Sequence, residues 1–274
     1  MRVAALAVLL AAALPGATGA QVEVPERAVV WAVGDGANGT PAARRLARRI
    51  VRGKPDRFLY LGDVYDHGTR ADFRNNYEPV YGRLAGITDP TPGNHEWANR
   101  HSGYYPYWKR KKGRRQPPWS RVTVGGWEIL NLNSEAAHRS GSRQLGWLKR
   151  AVRPPGTCRI AFWHRARFSA GTLHGDSPDT APLWNALRGH ARLVLGGHDH
   201  NSQRFRRRQG LTQLVAGAGG PNLYPLRRDR RLAFARSDRP AALRLVLTPG
   251  RATIEFRDAA GRVLDRSAAR CRPT

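Results

Sequence analysis

Gly34-Asp35, Gly62-Asp63, Gly93-Asn94-His95-Glu96 and Gly197-His198-Asp199-His200 each place a carboxylate, amide or imidazole just past an apolar run. A lone His164 follows Ile160-Ala161-Phe162-Trp163 in the same way. Carboxylates, an Asn carbonyl and neutral imidazoles are together a donor set for hard or borderline cations. Asp63 can offer one oxygen to each of two cations. His198 and His200 are two apart, so on an extended segment both face the same side. Such a pair can serve two metals ~3.5–4 Å apart, the spacing of hydrolytic binuclear sites. Each fragment alone has a plainer meaning: Asp after Gly is often a turn or cap residue, and a single His behind a strand is usually a hydrogen-bonded core residue. The ordered set points instead to a binuclear centre.

Those residues need strands to deliver them. Ala28–Val33 reads as a buried strand running into Gly34-Asp35, and Phe58–Leu61 as a second running into Gly62-Asp63. Between them Pro41–Arg52 reads as a helix, with Thr40 as N-cap, Pro41 in its first turn, and Leu46 and Ile50 four apart. Residues 71–84 have helical spacing that Pro79 must bend or break, and a short strand near Ile87 leads to Gly93-Asn94. Residues 98–120 are a basic, aromatic insertion without clear periodicity, read as a lid or substrate-facing loop. A hairpin is expected around Gly125-Gly126, then a helix over Gln144–Val152, a strand at Ile160–Trp163, a short helix at Pro182–Leu187 and a strand at Arg192–Leu195. Beyond Asn201 the helices stop, and Leu211–Val215, Ala242–Leu247 and Thr253–Phe256 read as antiparallel strands closing a second sheet. Strand-helix alternation followed by β structure suits two packed sheets flanked by helices.

At 274 residues and 41% hydrophobic, the chain can bury one sizeable core, expected as a single domain over 25–272. Residues 1–20 read as a secretory signal peptide: Met1-Arg2, an apolar run from Val3 to Leu14, then the small residues Ala17-Thr18-Gly19-Ala20. The run is too short to span a bilayer, so an exported protein without a membrane span is expected, starting near Gln21. In an oxidising compartment Cys158 and Cys271 either staple the C-terminal tail to a core strand or remain two thiols. The net charge of +27 is carried mainly by Arg, with lysine only at 54, 109, 111, 112 and 149. Such a surface attracts polyanions. Basic runs at Lys109–Lys112 with Arg114-Arg115, at Arg206–Arg208 and from Arg227 to Arg231 read first as solvated surface. Tyr104, Tyr105, Tyr107, Trp108 and Trp119 around the first run add the interleaved aromatics of a nucleic-acid groove.

The ordered motifs resemble the calcineurin-like metallophosphoesterase superfamily, whose pattern is Asp-x-His, Gly-Asp-x-x-Asp, Gly-Asn-His-Asp/Glu, a lone His and Gly-His-x-His. The similarity runs from about Val29 to Asn201, and the layout is similar to purple acid phosphatase-like and secreted bacterial members. It implies an α/β fold, a four-layer αββα sandwich of two mixed sheets, and hydrolysis of phosphate esters by metal-activated hydroxide. It implies two metal ions (Fe, Zn, Mn or similar): one on Asp35, Asp63 and His200, the other on Asp63, Asn94, His164 and His198. It also implies that His95 lies outside the ligands as the acid that protonates the leaving group.

This sequence departs from the pattern at one place. Two residues after Asp35 stands Ala37, where the superfamily usually has a ligating His. Purple acid phosphatases also lack that His and use a Tyr three residues after the second Asp; here that position is Asp66, and Tyr65 lies one residue early. The open ligand is therefore Tyr65, Asp66, Asn38 or water. His174 and His67 are candidates for contacting substrate, and Glu96 for orienting His95 or a ligand. The function expected is a secreted phosphomonoesterase. The alternatives are a phosphodiesterase or nuclease on the same metals, with nucleic acid as substrate only, or a non-catalytic secreted polyanion-binding protein.

Overall fold

The computed structural model describes residues 27–220 and 222–273; the segment read as a signal peptide lies outside them. Two mixed sheets pack face to face. The first has the order β13-β12-β11-β1-β2-β3 and the second β10-β8-β9-β7-β6-β5-β4. In the first sheet β1 (Ala28–Val33), β2 (Arg57–Tyr60) and β3 (Thr88–Pro90) run parallel. On the other side of β1 follow the antiparallel β11 (Ala241–Thr248), β12 (Arg251–Asp258) and β13 (Val263–Arg270). The second sheet is centred on parallel β5 (Trp127–Asn131), β6 (Arg159–Arg165), β7 (Leu193–Gly197) and β9 (Thr212–Ala216). Antiparallel β4 (Ser120–Val124) closes one edge, and β8 (Ser202–Phe205) with β10 (Leu232–Arg236) the other.

The central strands are apolar on both faces because both faces are covered. Ala28, Val30 and Ala32 of β1 point into the inter-sheet core with Ile160 and Phe162 of β6. Val29, Trp31 and Val33 point the other way, against α1 (Pro41–Arg52) and the helical segments that follow. Ala161 and Trp163 of β6 pack outward against α6 (Arg143–Ala151) and α7 (Ala181–Leu187). The result is the expected αββα sandwich.

Two readings of the chain change, and a third is resolved. The late strands do not close one sheet: β9 joins the second, while β11 and β12 extend the first beside β1. Alternation fixes which face of a strand is buried but not which strand it pairs with. Residues 71–84 are broken rather than bent, into α2 (Arg70–Asp72), a π-type turn (Phe73–Tyr77), α3 (Glu78–Tyr81) and a 3₁₀ segment (Gly82–Ile87). The insertion is not an open lid. After the short α4 (Asn94–Trp97) it contains α5 (Tyr104–Lys112), which buries Tyr104, Tyr107 and Trp108 against the outer face of the first sheet. These three aromatics are core residues, and a nucleic-acid groove loses them as stacking platforms; Tyr105 and Trp119 stay partly exposed.

Among the described residues no helix is long and apolar enough to cross a membrane. Cys158, just before β6, is bonded to Cys271 after β13, closing a loop across 113 residues with the two Cα atoms 5.0 Å apart. Thr157 and Cys158 also donate backbone hydrogen bonds to Arg272 O, so the tail is tied at two levels. Cys271→Ser should therefore lower stability by about 2–5 kcal/mol, read as a fall in Tm under non-reducing conditions. An unchanged Tm would mean that the backbone ties alone hold the tail.

Candidate metal centre

The loops leaving both sheets meet at one edge. Asp35 follows β1, Asp63 follows β2 and Asn94 lies beyond β3; His164 sits near the end of β6 and His198 just past β7. Asp35, Asp63 and His198 have positive φ, at 61°, 66° and 70°. A left-handed backbone at a non-glycine residue costs about 1–3 kcal/mol and persists where the surroundings over-determine it. Those surroundings are cross-loop hydrogen bonds: Asp35 N–H to Gly62 O at 3.0 Å, and His198 N–H to Asp35 Oδ2 at 3.0 Å. His95 N–H donates to Asp63 Oδ1 at 3.1 Å. Glycine is required beside the carboxylates. A Cβ on Gly93 would stand 2.1 Å from Asp63 Oδ1, and one on Gly197 2.6 Å from Asp35 Oδ2.

His164 donates Nδ1–H to Leu61 O at 2.8 Å and His200 donates Nδ1–H to Asn222 O at 2.6 Å, which turns both Nε2 atoms inward. His164 Nε2 then meets Asn94 Oδ1 at 3.0 Å, His198 Nδ1 at 3.1 Å and Asp63 Oδ2 at 3.4 Å. The ligating atoms of Asp63, His164 and His198 lie within 4.8 Å of one another, all buried. His200 Nε2 is 3.6 Å from Asp35 Oδ1, and that oxygen is buried without a hydrogen-bond partner. Acceptor atoms this close need a proton or a cation between them. This donor set of carboxylate, amide oxygen and imidazole fits a metal ion.

The electrostatics describe the same need. Burial pushes the Asp35 carboxyl well above its usual range, and Asp63 adds to the rise. Burial acts on Asp63 too, but the His164 imidazole outweighs it and holds that carboxyl low. Burial disfavours charge on His164, yet Asp63 beside it wins and lifts its pKa to about 10. A proton on His164 is thus the charge this cluster recruits when it has only protons available. Burial drives His198 down to about 2, with His164 contributing, and His200 down to about 4. Both therefore stay neutral, the form of imidazole that ligates.

Tyr65, one residue out of register in sequence, reaches the centre. Ala37 and Val64 form a bridge between the first two loops, and Tyr65 N–H donates to Ala37 O at 3.0 Å. The tyrosine thus leaves the strand edge beside the alanine that replaces the usual His, and its hydroxyl lies 2.7 Å from His200 Nε2. Burial raises the phenol pKa far above its ordinary value, so without a cation it stays protonated. The other candidates for that position are not brought in. Asn38 Oδ1 accepts from Thr40 N–H and Oγ1–H and braces the N-cap of α1. Asp66 is exposed, and its carbonyl rather than its carboxylate is used, accepting from His95 Nδ1 at 2.5 Å. His67 is likewise exposed, its backbone N–H bonded to Asp72 and its carbonyl to Asn99.

His95 Nε2 faces Asp63 Oδ2 at 3.8 Å with its side chain 34% exposed, and Tyr65 packs against the ring at 4.6 Å. His174 stacks on His198 at 3.9 Å between ring centroids. Three further contributors, Tyr224, Asp199 and Arg231, carry no sequence signal. Tyr224 stacks on His200 at 3.9 Å. Asp199, between the two motif histidines, accepts from Gly175 N–H at 3.1 Å and so holds the loop of His174. Arg231 grips Asp176 of that loop through two hydrogen bonds, at 2.7 and 3.0 Å. Glu96, expected from sequence to orient His95 or a ligand, is buried; it accepts from Val64 N–H at 3.1 Å and so links the second loop to the third. Burial, then Asp63, raises its pKa to about 8.

A calcineurin-like phosphoesterase family profile matches residues 28–202. No curated protein sequence matches the chain. The fold is similar to that of a purple acid phosphatase, PPD1, from yellow lupin (Lupinus luteus), with TM-score 0.76 and 16% identity over 89% of this chain and 54% of that one. This chain thus spans about half the length of the lupin protein. It is also similar to GAP50, described as the anchor in the inner membrane complex of Plasmodium, with TM-score 0.70 and 16% identity over 89% of each chain. A dimetal phosphatase from Danio rerio follows with TM-score 0.59 and 11% identity, over 88% of this chain and 98% of that one. At these identities the likeness speaks for the fold, whereas the profile spans most of the chain and every metal-type residue named above. The chain belongs to the calcineurin-like phosphoesterase family.

Proposed function

We propose that this protein is an exported hydrolase of phosphate esters, chiefly phosphomonoesters, working with two metal ions. The observation that carries the reading is the convergence of buried acceptors with His95 Nε2 at their open side. Asp63, Asn94, His164 and His198 would hold one ion; Asp35, Asp63 and His200, with the Tyr65 hydroxyl, would hold the other. Bound there, the cations supply Lewis acidity: they neutralise charge on a phosphoryl group and make water acidic enough to act near neutral pH. His95 has its Nδ1–H committed to the Asp66 carbonyl, so Nε2 is the atom that gives a proton to the leaving oxygen. His174 and Tyr224 wall the entrance beside the two motif histidines and position the ester group. Export is supported by the leader-like residues 1–20 and by the disulfide, which persists in oxidising compartments.

Fold alone does not decide between catalysis and a structural role, since GAP50 shares the fold and is described as an anchor. His95 favours catalysis: a purely structural ion site has no use for an imidazole held outside its ligands and open to solvent. Burial of Tyr104, Tyr107 and Trp108 weakens the main feature that favoured a nuclease. Metal analysis of the purified protein with a panel of monoesters and diesters tests the whole reading; two equivalents of metal and a preference for monoesters are expected, and a metal-free or inactive protein would refute it.

Asp63→Asn should lose metal and activity together, because it removes the charge shared by both ions; full metal loading with near-normal turnover would sink the bridging role. His95→Asn should retain both ions and lose about 10²–10⁴-fold in rate, less for nitrophenyl esters whose leaving group needs no proton. Loss of metal from that variant would make His95 a ligand instead. Loaded with ferric iron, the protein should show a visible phenolate-to-iron band that Tyr65→Phe abolishes. A band that survives the substitution would remove Tyr65 from the coordination sphere.

A further inference from the structure

A cavity of about 540 Å³ lies between α1 and α3, on the outer layer of the first sheet. Arg44, Arg48 and Arg52 line it from one side of α1, and Arg83 faces them from the 3₁₀ segment. Its single carboxylate, Glu78, is already bound by Lys111 and by the Tyr107 hydroxyl. Among the described residues none of the four arginines has a carboxylate partner, and Arg44 Nε donates only to the Gly39 carbonyl. Arg44, Arg48 and Arg52 follow one another at four-residue steps, about 6 Å apart along the helix. Like charges at that spacing repel, and the first turn of α1 holds no acidic residue to offset them. On the opposite flank Arg45 and Arg49 line a second hollow of about 450 Å³ that shares Arg48 and Arg52. The Nε of Arg49 is buried there with no acceptor.

We propose that this cleft is an anion site separate from the metal centre and that it takes an oligophosphate, a chain of several phosphoryl groups. Guanidinium forks match phosphoryl oxygens two at a time, and a row of them suits a row of phosphates rather than a single one. The rest of the lining is aliphatic, with Ala47, Val51, Pro79 and Val80 and no aromatic ring. Single-stranded nucleic acid is held largely by stacking its bases on aromatic side chains, so bases would gain nothing here. The proposal rests on the cleft itself and not on hydrolysis at the metal centre.

Calorimetric titration of the full chain with inorganic tripolyphosphate tests it, using Asp63→Asn protein so that the metal centre neither turns over nor anchors the ligand. Saturable binding is expected. Arg48→Ala with Arg83→Ala should weaken it at least tenfold, while Arg139→Ala with Arg153→Ala, an equal loss of charge at exposed sites elsewhere, should change it less than twofold. Alanine is the best helix former, so Arg48→Ala leaves α1 intact; should the double variant fail to fold, Arg48→Gln with Arg52→Gln makes the same test. Equal weakening by the two pairs would show only the pull of the net charge and overturn the proposal. So would the lack of saturable binding, or tighter binding of an oligonucleotide carrying the same number of charges.

Discussion

The centre of this protein is a set of buried lone pairs that face one another. His164 Nε2, His198 Nδ1, Asn94 Oδ1 and an Asp63 oxygen crowd together, and Asp35 Oδ1 is buried with no donor. Close acceptors repel, and burial deprives them of water, so only positive charge placed among them makes the arrangement favourable. The ring nitrogens not aimed inward from His164 and His200 are committed to backbone carbonyls, which leaves the inward Nε2 atoms to meet the positive charge, a proton or a cation. The glycines beside the carboxylates leave the room this crowding needs, and the left-handed residues aim the side chains.

That cluster also explains why two sheets are needed. Asp35, Asp63 and Asn94 come from the first sheet and His164, His198 and His200 from the second, all at the ends of parallel strands. The sheets are joined at this edge by direct hydrogen bonds: Gly34 N–H to Ala216 O at 2.9 Å, His164 Nδ1–H to Leu61 O, and His198 N–H to the Asp35 carboxylate. The apolar layer between the sheets sets the distance across which these groups meet.

Much of this was legible because the informative residues follow strand ends, where an apolar run and a glycine mark the exit. Thr40 and Pro41 set the start of α1 by local capping chemistry, which sequence records directly. What depended on the path of a loop was not legible. Tyr65 reads as misplaced by one residue until the Ala37–Val64 bridge shows where it leaves the sheet. Asn38 has the right atoms for a ligand, but its oxygen is taken by Thr40. In α5 the buried Tyr104, Tyr107 and Trp108 do stand at helical spacing, yet Tyr105, Pro106 and the run of lysines obscure the period. Tyr224 and Asp199 carry no local mark at all, because stacking on a histidine or holding a neighbouring loop is a property of the assembled fold.

The central claim is that the chain holds two cations which share Asp63. X-ray diffraction from crystals of the purified protein, with data collected on both sides of the absorption edge of each metal found by elemental analysis, tests it most directly. The account predicts two anomalous peaks flanking the Asp63 carboxylate, one among Asn94, His164 and His198 and the other between Asp35 and His200 beside the Tyr65 hydroxyl. A single peak with Asp35 left unliganded, or no peak in crystals grown from active enzyme, would contradict it.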